Sequence, residues 1–264
     1  MKRFWLLALS FALVAHLWAQ DFEVSPVLLN FNAEPGEIQT VELNVTNHSN
    51  NVTSYAFNVK DFYYNNKGVK DFLPPGSIKK SCADWLSISP SLLRVNPGET
   101  GKVNVTIQVP TQNYSTTWAA ITVMPTEERD AFSAEAKMAA AISVFGKIVV
   151  EVRQSPKSNK KYKARLSNFI ETTPLDTARV FKATIENIGD KILKCRVYLI
   201  ATNMSTGEEY KTEPARMSSY PLSSRTIELA LPSRIPPGKY ALAAILDYGG
   251  MANLEGAQIM IDVD

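Results

Sequence analysis

Val103-Asn104-Val105-Thr106-Ile107-Gln108-Val109 decides the fold class, because its apolar side chains fall on every second residue. Successive side chains of an extended strand point to opposite faces. This spacing therefore buries one face and leaves Asn104, Thr106 and Gln108 in water. Half-solvated strands of this kind belong to antiparallel sheets. Outward from it, runs rich in β-branched and aromatic residues cover Phe22 to Phe31, Ile38 to Thr46, Thr53 to Tyr64, Trp85 to Val95, Lys102 to Val109, Thr116 to Met124 and Met138 to Val152. A second series covers Tyr162 to Ile170, Ala178 to Glu186, Leu193 to Thr202, Thr226 to Leu231, Tyr240 to Leu246 and Ala257 to Val263, with a short strand expected near Tyr210. No helical stretch between strands is long enough for a parallel crossover, so the pattern predicts an all-β chain of two β-sandwiches.

Three turns carry one signature: Glu34-Pro35-Gly36-Glu37, Asn96-Pro97-Gly98-Glu99 and Pro236-Pro237-Gly238-Lys239. Proline presets φ at the first central position and glycine accepts a positive φ at the second, which predicts type II turns that launch strands. Between the two series, Lys157, Lys160, Lys161 and Lys163 stand among Ser155, Pro156, Ser158 and Asn159, which predicts a solvated linker. The expected boundaries are a leader at 1–19, a first domain at 20–153, the linker at 154–161 and a second domain at 162–264.

The leader is read from Lys2 and Arg3, the apolar run Phe4 to Ala15 and the small residue Ala19, the pattern of a secretory signal cleaved after Ala19. The run is shorter than the roughly 20 apolar residues a membrane span needs. No second such run follows, so the mature chain is expected to be exported, without a transmembrane segment, and periplasmic or associated with the cell surface. Without Lys2 and Arg3 the 28 basic residues fall level with the 26 acidic ones. A neutral chain without a basic stripe predicts no nucleic-acid partner. Its two cysteines, Cys82 and Cys195, lie on opposite sides of the linker and are expected to be separately buried thiols, with an interdomain bridge as the alternative.

The residue types that catalysis needs are scarce. The two histidines are His16, in the leader, and His48, in a polar loop, so histidine-based triads and cysteine–histidine zinc sites are not expected. No glycine-rich phosphate loop occurs, and Gly249-Gly250 reads as a tight turn. Glu127, Glu128, Asp130 and Glu135 could supply paired carboxylates for glycoside hydrolysis but read as a solvated loop. Asn-x-Ser/Thr triplets at Asn44, Asn47, Asn51, Asn104, Asn113 and Asn203 read as incidental in a chain with such strand faces. The reading is a protein that is not an enzyme and takes no cofactor or metal.

Five motifs follow one another in a recognisable order: Val24-Ser25-Pro26, Val45-Thr46-Asn47, Leu86-Ser87-Ile88-Ser89-Pro90 before Asn96-Pro97-Gly98-Glu99, Trp118-Ala119-Ala120-Ile121-Thr122-Val123, and Val144-Phe145-Gly146-Lys147-Ile148-Val149-Val150. In this order, Phe22 to Arg153 resembles the N-terminal immunoglobulin-like domain of PapD-like periplasmic pilus-assembly chaperones. The second half resembles generic immunoglobulin-like domains, through Ile185-Glu186-Asn187-Ile188-Gly189 and Pro237-Gly238-Lys239-Tyr240. The resemblance implies a protein partner, a subunit of a surface structure, bound by β-strand addition. By position, Met138, Ala140, Ile142 and Val144 would be the lent side chains, and Lys147 would anchor the subunit's C-terminal carboxylate. The family pairs that lysine with an arginine on the first strand, whereas no arginine occurs here between Arg3 and Arg94. The alternative is a structural or adhesive envelope protein built from the same sandwiches.

Overall fold

A computed structural model describes residues 21–65, 67–126, 146–172, 179–231, 235–249 and 254–263. The first ten strands are β1 (Phe22–Ser25), β2 (Leu28–Phe31), β3 (Ile38–Asn47), β4 (Thr53–Tyr64), β5 (Lys70–Leu73), β6 (Leu86–Ser89), β7 (Leu92–Val95), β8 (Thr100–Gln108), β9 (Thr117–Thr126) and β10 (Ile148–Gln154). They form two facing sheets, one in the order β1-β3-β8-β6 and one in the order β2-β10-β9-β4-β5, with β7 also beside β4. Eight more follow: β11 (Ala164–Glu171), β12 (Val180–Asn187), β13 (Leu193–Asn203), β14 (Glu209–Lys211), β15 (Ala215–Ser219), β16 (Ser224–Ala230), β17 (Gly238–Asp247) and β18 (Glu255–Val263). These build the second sandwich from sheets β11-β12-β16 and β14-β13-β17-β18, with β15 beside β13.

The alternation read from the sequence is the burial pattern observed. Val103, Val105 and Ile107 of β8 are fully buried, with Leu43 and Val45 of β3, against Leu29, Ile121, Val150 and Val152 of the facing sheet. A separate core in the second sandwich gathers Phe181, Ile185, Val197, Leu199, Leu242 and Leu246. Cys82 and Cys195 are both buried and unbridged. Burial pushes the Cys82 thiol up to about 12 and the Cys195 thiol up to about 11.

Two expected strands are each split between sheets. The run Phe22 to Phe31 breaks at Pro26: β1 pairs with β3 in one sheet and β2 runs parallel to β10 in the other. Trp85 to Val95 breaks at Pro90 in the same way, with β6 on β8 and β7 on β4. Proline has no N–H to give a ladder, so each Ser-Pro step is where the chain crosses between layers.

The turns at Gly36 and Gly98 match expectation, with φ of 85° and 73°. Their closing bonds are Glu37 N–H to Glu34 O at 3.0 Å and Glu99 N–H to Asn96 O at 3.1 Å. The third turn differs. Gly238 has φ of 153° and already belongs to β17, while the Tyr240 hydroxyl donates to Pro236 O at 2.8 Å.

Each sandwich also carries a buried asparagine at the end of a strand, bonded in the same way. Asn47, which ends β3, donates its amide to Asn51 O at 2.7 Å and Val95 O at 3.0 Å, and accepts from Ser49 N–H at 3.0 Å. Asn187, which ends β12, donates to Lys191 O at 2.8 Å and Ser219 O at 2.9 Å, and accepts from Gly189 N–H at 3.0 Å. In both, one side chain replaces the pairing that the loop backbone loses.

Between the sandwiches, the stretch expected as a solvated linker is pinned on both sides. Ser158 donates backbone and side-chain bonds to Glu34, at 2.9 and 2.6 Å. Asn159 is 6% exposed and donates to Asp190 O at 3.0 Å and Asp190 Oδ2 at 2.9 Å. The lysines 157, 160, 161 and 163 do face water. Ser158 is solvated as expected, whereas Asn159 is buried and bonded to Asp190 of the second sandwich.

Candidate functional site at the domain junction

The outer face of the β2-β10-β9-β4-β5 sheet meets the second sandwich. Strand alternation sends Val150 and Val152 inward and Val149, Glu151 and Arg153 outward, beside Trp118 and Ala120 of β9 and Phe62 and Tyr64 of β4. Tyr220, from the segment joining β15 to β16, packs onto this face. Its ring lies 5.0 Å from Trp118, 5.3 Å from Tyr64 and 5.7 Å from Phe62. The Trp118 indole N–H donates to Phe62 O at 2.9 Å, which satisfies the polar edge of a buried ring.

Glu151 is the centre of a charged cluster on the same face. Its carboxylate takes Lys70 Nζ at 2.8 Å, Arg153 Nε at 2.5 Å and the Tyr220 hydroxyl. The side chains of Lys70, Arg153 and Glu151 are 25%, 17% and 11% exposed. Charges so removed from water persist only when paired. Lys70 Nζ also lies 4.5 Å from the Phe62 ring centre, and Lys147 Nζ lies 5.4 Å from that of Phe72, itself 6.3 Å from Phe62. A row of aromatics flanked by cations thus runs from Lys147 towards the domain contact, with one positive charge more than Glu151 can balance at Lys70 and Arg153, and a further one at exposed Lys147.

Along β10 the hydrogen-bonding edge changes partway. Residues Glu151 to Gln154 lie between β9 and β2, and Glu151 N–H donates to Val27 O at 2.9 Å. Ile148, Val149 and Val150 pair with β9 alone among the described residues, because β2 begins only opposite Glu151. Among the described residues, one side of the strand is therefore open just where the chain enters from Lys147.

Of the residues expected to lend side chains, Met138, Ala140, Ile142 and Val144 lie outside the described residues, as do the leader and the Glu127–Glu135 carboxylates. Lys147 is exposed. His48 lies against Glu23 at 3.4 Å, in the open. Among the described residues no group of three or more histidine, cysteine or acidic side chains could hold a metal ion, and no helix is long and apolar enough to cross a membrane. Lys70, Glu151, Arg153 and Tyr220 were not singled out from the sequence. The signal available was local: in Val150-Glu151-Val152-Arg153, charges alternate with valines inside a strand, so a whole charged row faces one way.

The two sandwiches together have the fold of PapD-like fimbrial chaperones. A chain of the chaperone–tip adhesin complex of CFA/I fimbriae superposes with a TM-score of 0.50 at 11% identity, covering 90% of this chain and 97% of that one. The class 5 fimbriae chaperone CfaA gives 0.49 at 11% identity, covering 90% and 98%. The E. coli chaperone DraB gives 0.47 at 14% identity, also covering 90% and 98%. No protein-family model and no curated protein matches the sequence. The likeness is therefore one of fold, and it extends over both domains.

Proposed function

We propose that the protein is an exported, non-catalytic chaperone that holds subunits of a surface structure by strand addition along β10. The observation that carries this reading is the open side of β10 at Ile148–Val150. An unpaired edge in a sandwich otherwise invites uncontrolled pairing, and an incoming extended segment would satisfy it with main-chain bonds. In this reading Met138, Ala140, Ile142 and Val144 fill the client's pockets. Lys147, backed by the excess of positive charge around Glu151, receives its terminal carboxylate. The fold shared with a chain of a chaperone–adhesin complex supports the assignment. An exported protein of this kind works in the periplasm and needs no cofactor.

The test is co-purification of the protein with its client subunits from the periplasm. Ile142→Asp should abolish recovery of the subunit, and Lys147→Ala should reduce it by about tenfold, the scale of one desolvated charge contact. Unchanged recovery with both variants would overturn the proposal and favour the structural or adhesive alternative.

A further inference from the structure

A cavity of about 570 Å³ opens between the sandwiches, walled by Tyr63, Tyr64 and Trp118 of the first and Tyr220, Pro221 and Leu222 of the second. Its size is that of small-molecule sites, which are mostly apolar with a few placed polar groups. Here the polar groups are Asn65, Ser223, Ser224, Lys79 and Lys80, and no carboxylate lines it among the described residues. Lys80 is held by Asp190 at 2.5 Å. Lys79 is exposed and has no ion pair among the described residues.

Leu222 points to an occupant. Ser223 N–H donates to Tyr220 O at 3.1 Å, closing the turn Tyr220-Pro221-Leu222-Ser223. Leu222, the second central residue of this turn, has a φ of 65°, the left-handed region that a type II turn requires there. Glycine or asparagine fills that position at little cost, whereas a leucine there is strained. The strain is not offset by burial, since Leu222 is 69% exposed at the cavity mouth. Folding alone favours another residue at this position, and a contact with a bound molecule supplies the missing reason.

We propose that this cavity binds a small apolar anion. Its aromatic or short aliphatic body lies among Tyr64, Trp118 and Tyr220, Leu222 covers it, and its anionic group pairs with Lys79. The proposal does not depend on strand addition along β10. The test is a titration of the purified mature chain with 8-anilinonaphthalene-1-sulfonate, followed by probe fluorescence and by transfer from tryptophan, compared between the protein and a Trp85→Phe variant that keeps Trp118, with the neutral N-phenyl-1-naphthylamine as a second probe. Saturable binding of one sulfonate probe per chain is expected, weakened about tenfold by Lys79→Glu and about fivefold by Leu222→Gly. Leu222→Gly should not lower the thermal midpoint, and Met260→Ser and Ile142→Asp should leave the affinity unchanged. Equal affinity for the neutral probe, insensitivity to both Lys79→Glu and Leu222→Gly, or the absence of saturable binding would each overturn the proposal.

Discussion

Asn47 and Asn187 occupy equivalent corners and make the same three kinds of bond, yet the sheets that leave those corners present different outer faces. In the first sandwich the outer face of the β2-β10-β9-β4-β5 sheet is covered, whereas that of its other sheet is not: Glu151 is bound by Lys70, Arg153 and Tyr220, and Phe62 and Trp118 are buried behind them. In the second, charges pair across strands in water. Lys182 and Glu228 are 42% and 64% exposed in their side chains, and Arg165 and Glu186 are 59% and 34% exposed. The corner is a requirement of any sandwich, because a loop that closes over a core must pair its backbone somewhere. The buried charges are not such a requirement, and they mark the face that the protein turns towards its other domain and the open edge of β10.

That contrast can be broken by substitution. Glu151→Ala should destabilise the first sandwich by about 3–5 kcal/mol, because it leaves two poorly solvated cations without a partner. Arg196→Ala, at the half-exposed pair with Asp247, should cost less than about 1 kcal/mol. Urea denaturation followed by tryptophan fluorescence and far-ultraviolet dichroism measures both. If the two losses were equal, the distinction between the faces would be wrong. Asn47→Ala and Asn187→Ala should each cost about 1–3 kcal/mol, for the buried bond to a distant carbonyl, Val95 O or Ser219 O, that each loses. Here equality is the expected outcome, read from the same denaturation curves.

Acid should separate the sandwiches more mildly. The Gly249 N–H and Arg196 hold Asp247 below its ordinary value of 3.8, and Arg179 holds Glu171 below 4.5. A carboxylate whose folded pKa is depressed contributes stability above its unfolded value and loses it as pH falls through the folded one. The second sandwich should therefore weaken below about pH 4, and Asp247→Asn should flatten that slope in thermal melts taken at successive pH values. The smallest effect is expected at the thiols. With Cys82 at about 12 and Cys195 at about 11, neither should react with iodoacetamide at pH 8 until the chain unfolds, as mass spectrometry would show.

Much of the fold was legible because strand patterning is local. The alternation in Val103 to Val109 predicted the buried row of β8, and Asn96-Pro97-Gly98-Glu99 predicted its entry turn. The splits at Pro26 and Pro90 were missed, although the prolines are in plain view. A strand that changes sheet keeps its alternation, and only its partners reveal the crossing. β5 and β15 were missed because Lys70 to Leu73 and Ala215 to Ser219 are short and carry little apolar alternation. At the candidate site, Lys147 was reached through the family resemblance, whereas Lys70, Glu151 and Tyr220 were not reached at all.

Sequence by itself determined most of the extended runs, which side of each is apolar, and that histidines number only two, since these depend on near neighbours and composition. Only the tertiary structure decided that Lys70 and Tyr220, 81 and 69 residues from Glu151, meet its carboxylate. It also decided that β2 stops short of Ile148 and that Leu222 stands over a cavity shared by two domains. Contacts of that range are set by how sheets stack and domains dock, and no spacing along the chain encodes them.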